Sequence, residues 1–238
     1  MTSRAEGIDG RERVDAMTSR IGAVLLPLGV VLFVIATAVF HPSREHPMDN
    51  VAVFAEYAQD APWIATHFAQ WIASLCLMGG FIPIYFSIAS RMEKGAAVAR
   101  FGVAAAILTA GGFTMLQAVD GIALEWAVDA WASAADSERE ALFAAALSVR
   151  WTEYALQSYT NHLLGLTLIL FALAMGWSSA YPHWLAWLAG GSGVAWIVHG
   201  AMVAYVGLFD STPRLIAILL LAIWSFVMGH RMWRMRQG

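Results

Sequence analysis

Charge is scarce in this chain. Only 13% of its 238 residues are Asp, Glu, Lys or Arg, against about 25% in an ordinary soluble domain. Hydrophobic residues make up 59%. A soluble core cannot hide that much apolar surface, so lipid must be the solvent for much of it. Cysteine is almost absent, with Cys76 alone in an apolar run. That excludes an internal disulfide and a cysteine-based metal site. There is no basic surplus either, the formal net charge being -3, so nothing points to nucleic acid as a partner. The chain lacks a phosphate-binding glycine loop, a Gly-x-Ser-x-Gly elbow and a His-Glu-x-x-His zinc helix. It has no histidine pair at i, i+3 or i+4 within a span to mark a membrane di-iron site. The first residues lack the pattern of a cleavable signal peptide. Arg4, Arg11, Arg13 and Arg20 alternate there with Glu6, Asp9, Glu12 and Asp15. Residues 1–20 are therefore expected to be a short disordered or interfacial tail, and the apolar run after them an uncleaved signal anchor.

What the chain does have is long apolar runs. A helix needs about 20 mostly apolar residues to cross the hydrocarbon core. Six segments approach or exceed that length: Ile21–Phe40, Trp63–Ser90, Phe101–Ala127, Trp151–Trp177, Trp184–Leu208 and Leu215–Gly229. Trp63, Trp126, Trp151, Trp177 and Trp184 stand at span ends, where indole rings favour the headgroup level. Pro27 and Pro83 are candidates to kink the first two spans. Small residues that would let helices approach closely recur at Gly79 and Gly80, at Gly111 and Gly112, at Gly191 with Ala195 and at Gly200 with Ala204.

Orientation follows from Lys and Arg near the span ends. With the N-terminus inside, the inner segments hold Arg4, Arg11, Arg13, Arg20, Arg91, Lys94, Arg100, Arg231, Arg234 and Arg236. The outer ones hold only Arg44, Arg139, Arg150 and Arg214. Acidic residues fall mostly on the outer side, among them Glu45, Asp49, Glu56, Asp60, Asp129, Asp136, Glu138, Glu140 and Asp210. The expected fold is all-α: an integral membrane bundle of six transmembrane helices over residues 21–230. Cytoplasmic tails precede and follow it, at 1–20 and 231–238. Two outer loops are long enough for structure. Asn50–Gln59 spaces Val51, Phe54, Tyr57 and Ala58 like a short helix lying on the membrane. Ser137 and Glu140 have capping-box spacing at the start of a helix leading into the fourth span.

Ionisable and amide side chains inside a bilayer are costly and raise a functional hypothesis by default. Four spans bring such groups to the outer leaflet. His67 and Gln70 lie near the outer end of the second span, and Gln117 and Asp120 one turn apart in the third. Glu153, Gln157, Asn161 and His162 descend the fourth, and His199 sits in the fifth. Asp120, Glu153 and His162 are the candidate catalytic groups. His67, Gln117, Gln157, Asn161 and His199 are the candidate ligand-binding groups. The plainer reading of each is a helix-to-helix hydrogen bond or, for Glu153, a surface ion pair with Arg150 three residues before it. His41, His46, His183 and His230 read as loop or boundary residues without a role. No cofactor and no metal is implied. A haem between spans would rest on His162 and His199, whose depths differ by about two helical turns.

Four phrases carry a resemblance: LQAVDGIALEWAVDAW at Leu116–Trp131, LSVRWTEYALQSY at Leu147–Tyr159, the LLGLTLILFALAM that follows, and YPHWLAWLAGGSG at Tyr181–Gly193. Together they resemble a group of uncharacterised multi-helix membrane proteins common in actinobacteria, most strongly over residues 116–193. The resemblance implies the multi-pass fold and a bacterial plasma membrane, and transfers no functional residue. Three functional readings follow from the residues. The first is a binding or accessory protein that holds a lipophilic small molecule in an outer-leaflet pocket, or packs against a membrane partner or a second copy. The second is a membrane enzyme that uses Asp120 as acid or base on an isoprenoid-like substrate. The third is a proton-coupled transporter with Asp120 and His162 as relay groups.

Overall fold

The computed structural model describes residues 2–41, 45–59, 62–91, 93–207 and 211–234, with the side chains of 2–14 excepted. Arg44, Asp60, Asp210 and Arg236 lie outside the described residues. Six helical segments are long and apolar enough to cross a membrane. Every element among the described residues is helical, so the all-α six-span bundle is the fold.

The first span is the end of a single helix, α1 (Thr2–Ile35), closed by a π-helical turn at Ala36–Phe40. The backbone of residues 2–20 is thus helical rather than a disordered tail. Pro27 sits inside α1 without ending it. The second span is split into α3 (Trp63–Gly79) and α4 (Phe81–Ala89). Pro83 explains the break, since it offers no N–H to the carbonyl of Gly79 and its ring crowds that carbonyl. The third span is α5 (Lys94–Ala118), a π-helical turn (Val119–Leu124) and α6 (Glu125–Ala132) in line. The last three are α7 (Asp136–Gly176), α8 (His183–Val206) and α9 (Thr212–Arg234).

The spans pack in a closed ring in chain order. α1 lies against α3 and α9, α5 against α3, α4 and α7, and α8 against α7 and α9. Aromatic rings fill the middle. Phe81 stacks on Trp224 at 5.4 Å and meets Phe171 at 4.7 Å, while Phe33 meets Phe113 edge-on at 6.0 Å. Small residues let α7 and α8 approach closely from both sides. A Cβ built on Gly165 would lie 2.5 Å from the carbonyl oxygen of Gly193, and one on Gly193 would lie 2.7 Å from that of Gly165. Of the expected small-residue sites, Gly111 meets nothing, whereas Gly80 and Gly200 do abut neighbouring helices.

One end of the ring is capped. α7 has 41 residues, and at about 1.5 Å each it is roughly twice as long as the hydrocarbon core is thick. Its first turns project beyond the bundle with α6. Between them lies α2 (Asn50–Tyr57), whose N-terminus is capped by the Asp49 carboxylate accepting from the Ala52 N–H at 3.2 Å. α2 packs against neighbouring helices of the protein. Its Val53, Phe54 and Tyr57 are buried against Leu124, Val128, Trp131 and Ala146 in a second core. The expected capping box also fails to form. α7 has its N-cap at Ala135, two residues before Ser137, with no side-chain cap.

Candidate functional site

The site lies under this cap and begins with α3. Trp63 and His67 are one turn apart and so share a face. Trp63, expected as a headgroup anchor, is buried instead. Its indole N–H donates to the backbone oxygen of Asp120 at 3.0 Å. That oxygen belongs to the π-helical turn of the third span. A π turn inserts a residue and re-aims the side chains beyond it, and such turns recur at functional sites. Here it directs Asp120 across to α3, where Oδ2 lies 3.1 Å from Nε2 of His67. Gly121 makes the approach possible, because a Cβ at that position would collide with the His67 side chain.

The tautomer of His67 follows from its other nitrogen. Nδ1 lies 2.8 Å from the carbonyl oxygen of Trp63. A carbonyl can only accept, so Nδ1 carries a proton. Nε2 is buried and close to Asp120, but the two are not aligned as a hydrogen bond. In neutral His67 this nitrogen presents a lone pair to a carboxylate, and two electron-rich atoms at 3.1 Å repel. A positive species between them, a proton or a metal cation, resolves the contact. The third group present is His41, delivered by the π-helical turn that ends α1. Its ring lies 5.3 Å from that of His67 and 5.1 Å from that of Trp63. Ligand atoms of His41, His67 and Asp120 all lie within 4.8 Å of one another.

A polar knot adjoins this cluster through Tyr57, whose ring is 4.1 Å from that of Trp63. Arg150 is only 1% exposed, so it is not the outer-loop charge that its place in the sequence suggested. It donates from Nη1 to the Tyr57 hydroxyl at 3.2 Å, from Nε to the Tyr154 hydroxyl at 2.9 Å and from Nη2 to the Pro47 oxygen at 3.2 Å. Burial pushes the Tyr57 phenol well above its ordinary pKa, against the pull of the Arg150 charge, so the hydroxyl stays protonated. Glu153 is 3.9 Å from Arg150. Both are buried, which corrects the surface ion pair expected for them.

Beside His67, on the outward face of α3 and α5, lies a groove of about 180 Å³ lined by Ile64, His67, Phe68, Trp71, Thr114, Gln117, Ala118 and Ile122. Trp71 Nε1 donates to Thr114 Oγ1 at 3.0 Å and bridges its walls. Gln117 is buried, and its Oε1 has no hydrogen-bond partner.

Compared with protein-family models, curated proteins and solved structures, the chain matches none. The site must be read from its own residues.

Of the eight predicted site residues, the structure joins His67 to Asp120 and sets Gln117 and Glu153 nearby. The other four are engaged elsewhere. Gln157 donates to Asn161 one turn down its own helix at 2.9 Å. His162 turns Nδ1 to the Ser158 oxygen at 2.7 Å and packs on Gly200 of α8. His199 meets Ser211 Oγ at 3.0 Å. Gln70 donates to Thr37 of α1 at 3.1 Å. His41 is the residue that sequence reading missed. The signal that could have found it is its place one residue past the first span, level with the outer end of the second.

Proposed function

We propose that the protein is a multi-pass protein of a bacterial plasma membrane, both termini cytoplasmic, that binds a lipophilic molecule with a hydroxyl head in the groove between α3 and α5. The observation that carries this reading is Gln117. A buried acceptor without a partner costs about 1–3 kcal/mol, and Gln117 Oε1 is such an acceptor at the wall of an aromatic groove facing lipid. A donor in the ligand would offset that cost. The chemical class is therefore an alcohol or phenol on an apolar chain, such as a polyprenol or a quinol. The orientation is supported by the bias of Lys and Arg toward the end opposite the cap.

The test uses farnesol as probe and the full chain in lipid nanodiscs. Gln117→Leu removes the orphan acceptor, so the fold should be as stable as before or more so, while farnesol binding weakens about 5- to 100-fold, the equivalent of one hydrogen bond to a buried group. Equal binding by both forms would sink the reading. Orientation is checked in intact cells with a Cys76→Ser background: Ser137→Cys should react with an impermeant thiol reagent and Lys94→Cys should not.

The contact of Asp120 with His67 favours a second reading, acid–base chemistry on the same class of ligand. Conversion of the probe, abolished by Asp120→Asn, is its signature. The relay reading has less support, since His162 packs against α8 while Asp120 faces α3.

A further inference from the structure

We propose that His41, His67 and Asp120 form a binding site for one divalent transition-metal ion of the zinc or iron(II) kind. The proposal shares only His67 with the groove and does not rest on it.

The donor set comes first. Two imidazole nitrogens and one carboxylate oxygen suit Zn²⁺, Fe²⁺, Co²⁺ and Mn²⁺, and no thiolate is present to favour Cu⁺. Three protein ligands leave at least one position open for water or another ligand, the pattern of reactive rather than purely structural sites. Geometry comes second. Bonds of about 2.0–2.1 Å in a tetrahedron place neighbouring ligand atoms about 3.3 Å apart. The 3.1 Å between His67 Nε2 and Asp120 Oδ2 matches that edge. With all three ligand atoms inside 4.8 Å, His41 needs to swing in by little more than an ångström. It can do so because it follows the last turn of its helix, in an extended conformation with φ -89° and ψ 125°.

The surroundings of His67 are the third observation. A metal-bound histidine usually donates its other nitrogen to a carbonyl or carboxylate, which fixes the ring and aims the lone pair. His67 does this with the Trp63 carbonyl. Its Nε2 is left buried, with no hydrogen bond and aimed at Asp120. Trp63 also holds the Asp120 backbone through its indole N–H, so one residue positions two ligands. Two separate π-helical turns, Ala36–Phe40 and Val119–Leu124, deliver His41 and Asp120 to the same point. Such turns are rare, and two converging on one imidazole is hard to attribute to packing.

The experiment strips the purified full-length protein with a chelator and then titrates it with Co²⁺, followed by Zn²⁺ in competition. The expected result is about one Co²⁺ per chain, visible d–d absorption of a low-coordinate nitrogen–oxygen site, and displacement by Zn²⁺. His41→Ala should weaken Co²⁺ binding by more than the about 10- to 100-fold that losing a second-shell partner costs. It should leave farnesol binding intact, since His41 does not line the groove. Gln117→Leu should do the reverse. Absence of stoichiometric Co²⁺ in the parent protein overturns the site without need of any variant. Equal Co²⁺ binding by a folded His41→Ala also overturns it, assigning the ion to surface carboxylates. Should His41→Ala unfold, the d–d spectrum of the parent decides, because an octahedral all-oxygen spectrum is incompatible with two imidazoles.

Discussion

The middle of the bundle and its capped end are built on opposite terms. In the middle, Phe81 stacks on Trp224 and meets Phe171 at a tilt, and Gly165 and Gly193 bring two helices into backbone contact. Lipid is as apolar as those side chains, so shape, not the hydrophobic effect, holds the helices together there. At the capped end a guanidinium, two carboxyl groups and two imidazoles are packed together beside α2, with Arg150, Glu153 and His67 buried and Asp120 and His41 half-buried. Shape alone cannot hold them; each needs a partner, and His67 Nε2, Gln117 Oε1 and Glu153 Oε2 have no hydrogen bond. The middle has orphans too, the indole nitrogens of Trp196 and Trp224 and the Ser225 hydroxyl, but none of these groups is readily ionised, whereas His67 and Glu153 are. The difference teaches where the molecule accepts a cost that packing did not require.

If that contrast is right, the most damaging change lies in the polar knot. Arg150→Met keeps much of the volume and removes the charge that ties α2 and the Pro47 loop to α7. It leaves the buried Glu153 without its counter-charge, while the Pro47 oxygen keeps the Tyr154 hydroxyl as its donor. Breaking one side of a buried pair costs about 3–5 kcal/mol, so Arg150→Met should unfold the cap and lower the detergent-solubilised protein's melting temperature sharply. Restoring neutrality with Glu153→Gln in the same chain should recover part of the loss. A Met variant as stable as the parent would show that the knot is ornamental and the contrast false.

The next effect, in the middle, is smaller. Gly165→Ala puts a methyl group 2.5 Å from the Gly193 oxygen and must push α8 away from α7. Overpacking of this kind costs about 1–3 kcal/mol. Chemical denaturation in mixed micelles measures it. Because the fault is steric and not electrostatic, changing ionic strength should leave the deficit unchanged.

The two regions also differed in how far the sequence revealed them. The six spans were readable because lipid demands unbroken apolar runs of a set length. That polar groups cluster at one level was readable too, from helical rise alone. Which of them touch was not. Two π-helical turns re-aim His41 and Asp120, and no residue pattern in VDGIAL announces an inserted residue. His67 and Asp120 are paired across two helices and a glycine, Gly121, whose meaning is clear only once its neighbour is seen. Trp63 and Arg150 looked like interface residues because the covering by α2 is a tertiary event. His162 and His199 looked equal to His67 in sequence, yet local partners at Ser158 and Ser211 claim them.

The smallest effect is expected far from both regions, at the uncapped end, where Glu93 joins the α4–α5 turn to the α7–α8 turn. Its Oε2 accepts from the Ser179 N–H and its Oε1 from the Ser179 hydroxyl, each at 2.7 Å. Both bonds favour the ionised form, so the Glu93 carboxyl lies below its ordinary value near 4.5. The sign follows from that direction. A group whose folded pKa is depressed contributes stability that is present above the ordinary value and lost as pH falls through the folded one. The protein should therefore melt slightly earlier once the pH drops below that ordinary value, and Glu93→Gln should flatten this part of the profile. Glu93 is half-buried at the surface, and water competes for both of its bonds, so the change should be far smaller than that of Arg150→Met. Melting profiles of parent and variant across the acidic range compare the two directly. An acid loss as large as the Arg150 effect would mean that a carboxylate in water matters as much as a charge sealed under the cap, and the distinction between buried and solvated polar groups drawn above would fall.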